Sequence, residues 1–191
     1  NENSNFILTI YEDKSGRIWI GTYAGLYSYE NNKFKSYHHN RHYKNSLSSN
    51  YVYTIFEDSK NQVWIGTAKG LNLFNEKENS FKVFYHKDGL SNDVISGITE
   101  DKYGCLWISS FNGITKFNPE RNTFTIFTTK NGLPGNYFNP NALIQFGENI
   151  FTGSNRGLVI LNPSEIDKSN ADTKVLISSI IILKNLLSIE N

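Results

Sequence analysis

Short runs in which apolar and polar residues alternate follow one another along most of the chain, separated by clusters of Gly, Asn and Asp. That alternation is the signal of half-buried strands joined by tight turns. It predicts strands over Phe6–Tyr11, Arg17–Thr22, Leu26–Tyr29 and Phe34–Tyr37. A second set covers Val52–Glu57, Val63–Thr67, Leu71–Phe74 and Phe81–Tyr85. A third covers Val94–Thr99, Cys105–Ser109, Ile114–Phe117 and Phe124–Phe127. A fourth covers Asn141–Phe146, Ile150–Gly153 and Leu158–Leu161, with no fourth strand before the polar run Asp167–Asp172. Asn and Gly between the runs supply the positive φ that tight hairpins need.

The sets are copies of one another. Ile55-Phe56-Glu57-Asp58, then Val63-Trp64-Ile65-Gly66-Thr67, then Gly70-Leu71 is the clearest. It recurs as Ile10-Tyr11-Glu12-Asp13, Ile18-Trp19-Ile20-Gly21-Thr22 and Gly25-Leu26, and as Ile98-Thr99-Glu100-Asp101, Leu106-Trp107-Ile108 and Gly113-Ile114. A weaker copy has Ile150-Phe151-Thr152-Gly153 and Gly157-Leu158. Trp19, Trp64 and Trp107 are 45 and 43 residues apart. A period of about 40–50 with four strands per unit is that of propeller blades. Such a unit buries both faces only by stacking on its neighbours. The predicted fold is all-β: about four blades of four-stranded antiparallel meander, forming an open arc, part of a larger propeller or a strained four-blade ring. The units run over about 5–43, 44–86, 87–130 and 131–163, and residues 164–191 read as a linker and the first strand of another β domain.

Charge is balanced, with 19 Lys and Arg against 18 Asp and Glu, and no basic stripe stands out. A nucleic-acid footprint is therefore not expected. The single cysteine, Cys105, cannot pair within the chain and reads as a small buried apolar residue. No leader pattern precedes the first strand, and the most apolar run, 175–189, is too short to span a bilayer. The chain thus reads as a piece of a longer one, with no direct membrane contact of its own.

The motif Ile-x-Glu-Asp-x-x-Gly-x-Ile-Trp-Ile-Gly-Thr-x-x-Gly-Leu resembles the two-component regulator propeller repeat. The fourth unit, with Asn131-Gly132-Leu133-Pro134-Gly135-Asn136-Tyr137-Phe138-Asn139 and Asn162-Pro163-Ser164-Glu165-Ile166, is similar to that family's terminal repeat. Residues 175–185 are similar to the first strand of the triple-tyrosine sandwich that follows such propellers. The resemblance implies the periplasmic sensor region of an inner-membrane hybrid two-component protein, dimeric in its parent, in bacteria that degrade polysaccharides. No phosphoacceptor His setting, kinase nucleotide motif or DNA-binding helix pair occurs here. One departure is Ser109, where the other units have Gly21, Gly66 and Gly153.

Candidate chemistry is sparse. The repeated pairs Glu12/Asp13, Glu57/Asp58 and Glu100/Asp101 look like paired catalytic carboxylates. Neighbours on a strand face opposite ways, however, so each pair is expected to serve the turn rather than one substrate. The tryptophans are expected to pack between blades. His38, His39 and His42 read as a solvated loop rather than a zinc set, and no cofactor or metal is expected. A ligand is expected on the rim where the second-to-third-strand loops and the blade connectors meet. Those loops carry Tyr23, Lys69, Phe111, Asn112, Asn155 and Arg156, and the connectors carry Asn50, Asp93 and Asn136. Aromatics, amides and a few cations suit a sugar ring, its hydroxyls and a uronate or sulfate. Three readings remain open: a non-catalytic sensor module for a polysaccharide-derived oligosaccharide; a structural blade array with the ligand bound elsewhere in the parent; and a propeller lyase or hydrolase, for which His86 and His42 are the available bases.

Overall fold

The computed structural model describes residues 6–166 and 180–181. Sixteen strands form four four-stranded antiparallel sheets, each a simple meander. Blade one is β1 (Ile7–Glu12), β2 (Ile18–Thr22), β3 (Leu26–Glu30) and β4 (Lys33–Tyr37). Blade two is β5 (Val52–Glu57), β6 (Val63–Thr67), β7 (Gly70–Asn75) and β8 (Ser80–Phe84). Blade three is β9 (Ile95–Glu100), β10 (Leu106–Ser110), β11 (Gly113–Asn118) and β12 (Thr123–Phe127). Blade four is β13 (Phe138–Phe146), β14 (Asn149–Ser154), β15 (Gly157–Leu161) and β16 (Ile180–Ile181). The fourth unit was expected to stop at three strands. Instead Ile180 and Ile181 pair with Val159 and Leu158 and complete its sheet. A short helical turn, α1 (Pro163–Ile166), follows β15. The rest of the expected sandwich segment lies outside the described residues.

The innermost strands β1, β5, β9 and β13 pack against one another in succession, so the sheets are arranged as a four-bladed propeller. Three buried clusters hold it together. Trp19, Leu26 and Tyr37 of blade one pack on Val52, Ile55, Ile65 and Phe81 of blade two. Trp64, Leu71 and Phe84 pack on Ile95, Ile98 and Ile108 of blade three. Trp107, Ile114 and Phe127 pack on Phe138, Ile150 and Val159 of blade four. The tryptophans, at most 1% exposed, are therefore inter-blade residues as expected. Leu47, Leu90 and Leu133 of the three connectors are pinned into the same clusters.

Among the described residues no such cluster joins blade four to blade one. Ile10 is 64% exposed, while its counterparts Ile55 and Ile98 are 5% exposed; Phe34 is 71% exposed and its counterpart Phe81 4%. On the last blade Ile144 and Phe146 are likewise exposed. The arc is thus open, bridged near its axis by one bond from the Asn141 side-chain amide to the Leu8 carbonyl at 3.2 Å.

The paired acids have separate structural jobs. Each Asp takes its own blade's tryptophan indole N–H at 2.8 Å: Trp19 to Asp13, Trp64 to Asp58 and Trp107 to Asp101. Its other oxygen accepts two backbone N–H groups of the turn, from Ser15 and Arg17, Lys60 and Gln62, or Tyr103 and Cys105. Glu57 and Glu100 each reach the turn of the blade before. Glu57 accepts from Lys14 N–H at 2.8 Å, and Glu100 accepts from Ser59 N–H at 2.7 Å and its hydroxyl at 2.8 Å. Blade four discards this scheme coherently. Phe151 stands for Trp, Phe146 for Asp and Gln145 for Glu. Removing both partners of a buried polar pair avoids the cost of orphaning one.

Ser109 also has a physical reason. Where β1 and β5 place Thr9 and Thr54, β2 and β6 place Gly21 and Gly66 opposite. A Cβ at Gly66 would lie 2.5 Å from the Thr54 methyl and 2.7 Å from Ile95 of the next blade. In blade three Leu143 of the next blade presses instead on β9, at Gly97, and the opposite position is free for Ser109. Its hydroxyl pairs with Ser96 at 2.9 Å.

Candidate functional site

At one end of the blades, each loop between the second and third strands is a Thr- or Ser-closed turn. The hydroxyl of Thr22, Thr67, Ser110 or Ser154 donates to the glycine carbonyl three residues on. The same oxygen accepts the backbone N–H of Ala24, Lys69, Asn112 or Arg156. This fixes the outward residue of each loop: Tyr23, Ala68, Phe111 and Asn155. Their backbone N–H groups in turn bond the carbonyls of Phe6, Tyr51, Val94 and Tyr137, which enter the innermost strands. Every blade therefore sets two side chains together at the mouth of the arc.

Six of the side chains gathered there are aromatic. Tyr23 lies 5.7 Å from Phe6 and 5.4 Å from Tyr51, between centroids. Phe111 lies 4.3 Å from Tyr137 and 6.3 Å from Tyr53. Separations of 4.5–7 Å are those of interacting rings. Tyr53 sits where β5 bulges between Val52 and Thr54, which turns its side chain off the strand's alternation. Burial raises its phenol pKa, and the phenols of Tyr23, Tyr137 and Tyr51 act in the same direction. Phe6, Tyr51 and Tyr137 leave part of their rings open to solvent, so the mouth has ring faces, phenol donors and acceptors, and exposed polar neighbours.

The residues expected on this rim divide into two groups. Tyr23 and Phe111 belong to the aromatic set. Lys69, Asn112, Asn155 and Arg156 are exposed beside it, and the last two pack over Gly135 of the connector, with Arg156 Cγ 2.8 Å from where a Cβ would stand. Asn50, Asp93 and Asn136 are engaged elsewhere. Their side-chain oxygens accept the backbone N–H of His39, His86 and Thr129, at 2.7, 2.5 and 2.8 Å. They close the connectors. The sequence reading missed Tyr51 and Tyr137, although each directly follows a residue it named, because they are set at the mouth by bonds from the Ala68 and Asn155 N–H groups, 17 and 18 residues further along the chain. It missed Tyr53 because a bulge has no signature in the alternation.

The histidines are placed by main-chain carbonyls. His38, His39 and His86 each donate Nδ1–H to a carbonyl, that of Ala24, Leu47 or Leu90. Among the described residues no group of three or more His, Cys, Asp and Glu side chains could hold a metal ion.

A family model described as the two-component regulator propeller matches residues 1–24, 46–69 and 89–112. Each matched segment contains the first two strands of a blade. No curated protein matches the sequence. Among solved structures, the extracellular domain of BT3049, assigned as a hybrid two-component system of B. thetaiotaomicron, is similar with a TM-score of 0.74 at 22% identity, over 85% of this chain and 24% of that one. PorZ, a surface component of the type-IX secretion system of Porphyromonas gingivalis, has a TM-score of 0.63 at 14% identity, over 88% and 28%. A catalytically inactive virginiamycin B lyase from Staphylococcus aureus with quinupristin has a TM-score of 0.57 at 17% identity, over 86% and 59%. At these identities the likeness is one of fold, and the chain spans about a quarter of the length of the first of them. With their Glu-Asp and Trp positions in register on three successive blades, the three matched segments match the two-component regulator propeller repeat.

Proposed function

We propose that this chain is a non-catalytic, extracytoplasmic sensor module that recognises an oligosaccharide derived from a polysaccharide. The observation that carries the reading is the aromatic mouth, where Tyr23, Tyr51, Tyr53, Phe111 and Tyr137 converge from all four blades. Sugar rings stack on such faces, and phenols and amides satisfy their hydroxyls. The propeller repeats and the likeness to the extracellular domain of a hybrid two-component system support the sensor role. In a periplasmic dimeric parent that carries a sandwich domain after the propeller, a ligand that favours one arrangement of the two shifts that equilibrium across the dimer.

Titration calorimetry against a panel of neutral and acidic oligosaccharides tests this. Binding is expected for at least one member, weakened at least tenfold by Tyr51→Ala with Tyr137→Ala, since stacking on one ring is worth about 1 kcal/mol or more. A competing reading, a structural array whose parent binds the ligand elsewhere, draws on the pairwise packing of these rings and on the use of Asn50, Asp93 and Asn136 as connector acceptors. Absence of heat with the whole panel, or full binding by the double variant, decides for that alternative.

A further inference from the structure

A second concave surface lies on the outer flank of blade two. The connector from β4 to β5 holds 14 residues (38–51), against ten in each later connector (85–94 and 128–137). Between Glu30 and Glu57 the sequence has no acid, and this stretch contains three of the four histidines together with Arg41 and Lys44. The longer loop lies alongside β8 and encloses with it a cleft of about 650 Å³. Arg41 and Lys44 enter from the loop, Lys82 from β8 and Lys87 from the turn after it, against a single carboxylate, Glu78. Among the described residues none of these four cations is in a salt bridge, whereas Lys60 and Lys102 elsewhere on the surface pair with Glu120 and Glu148. Tyr43, 69% exposed, stands in the wall of the same cleft. The chain as a whole carries almost no net charge, so this excess of positive charge is made by the fold, which joins segments 40 residues apart.

We infer that this cleft is a binding site, separate from the mouth, for an acidic oligosaccharide carrying sulfate or carboxylate groups. The four cations are exposed, and Lys82 and Lys87 lie over the Phe84 and Tyr85 rings; cations without a carboxylate partner in a concave wall draw anionic groups and bond them with charge assistance. The Tyr43 ring offers a stacking face, and a cleft of this size takes a small oligosaccharide. The sugar component rests on the proposed function; the anionic component rests on the cleft alone.

The test uses the 191-residue chain, with a melting curve of each variant confirming its fold. The probes are a sulfated tetrasaccharide, its unsulfated counterpart, inorganic sulfate at matched sulfate concentration, and a Glu-rich peptide of equal charge. The sulfated sugar is expected to bind with affinity that falls steeply as salt rises. Arg41→Ala with Lys87→Ala is expected to weaken it roughly tenfold or more, and Tyr51→Ala with Tyr137→Ala to leave it unchanged. Binding that survives loss of the two cations overturns the site. Equal binding of inorganic sulfate or of the peptide overturns the ligand class. Should neutral sugars fail everywhere while the sulfated one binds through the cations, the mouth falls and the cleft stands.

Discussion

The three aspartates that follow β1, β5 and β9 each satisfy two turn N–H groups and an indole with one carboxylate, and Asp13 also accepts from the Ser15 hydroxyl. Asp58→Ala leaves the Trp64 indole and two turn N–H groups without their acceptor, and a loss of about 3 kcal/mol is expected from the cost of orphaned buried donors. Urea unfolding followed by tryptophan fluorescence reads it. Asp13 adds a pH dependence. Burial by itself raises its pKa, but the bonds from Ser15, Trp19 and the Arg17 backbone outweigh burial and hold the carboxyl below its ordinary value. A depressed folded pKa contributes stability that is present above the unfolded value and is lost as pH falls through the folded one. Asp13→Asn is therefore expected to flatten the acid limb of the stability–pH curve, measured between about pH 2 and 5. The sequence showed that these acids belong to turns. It did not show that the indole is their third donor, because that bond joins residues six apart across a hairpin whose geometry only the folded turn defines.

Within each blade the first two strands carry most of the recognisable pattern, and its period set blade number and strand order in advance. Ser109 was legible as an exception, but not as half of an exchange with Gly97, since the pressure from Leu143 comes from a different blade. Gly66→Ala is expected to cost about 1–3 kcal/mol, because its Cβ meets Thr54 and Ile95 at once. Ser109→Ala, which leaves Ser96 buried without its partner, is expected to cost about 1 kcal/mol. Differential scanning calorimetry compares the two. The strand that completes blade four was assigned to the wrong sheet: residues 175–185 read as the first strand of a following sandwich, whereas Ile180–Ile181 pairs with β15. β13 begins at Phe138, three residues before the predicted start, because Asn139, Pro140 and Asn141 form a wide bulge that interrupts the alternation.

Among the described residues, two blades are covered on both faces and two on one. Amide hydrogen exchange is expected to be slowest in β6 and β10 and faster in blades one and four, as stability in repeat arrays follows the number of intact neighbour interfaces. Uniform protection across the four sheets would contradict the open arrangement. The candidate mouth was half legible at this scale. Loops from successive blades had to converge, but which of their side chains face one another depends on bulges in the innermost strands.

The bond from the Lys14 N–H to Glu57, repeated from the Ser59 N–H to Glu100, gives the stack a polarity. Blades one and two each hand a turn amide to a carboxylate of the sheet after them. Such an array lengthens by different rules at its two ends. A copy of blade two spliced ahead of β1 meets a carboxylate, Glu12, at the position that clasps a predecessor's turn. The same copy spliced after β16 follows a sheet whose first turn holds two residues, Gly147-Glu148, instead of the five that present Lys14 and Ser59. The first fusion is accordingly expected to melt at a higher temperature than the second, a difference thermal unfolding can read directly.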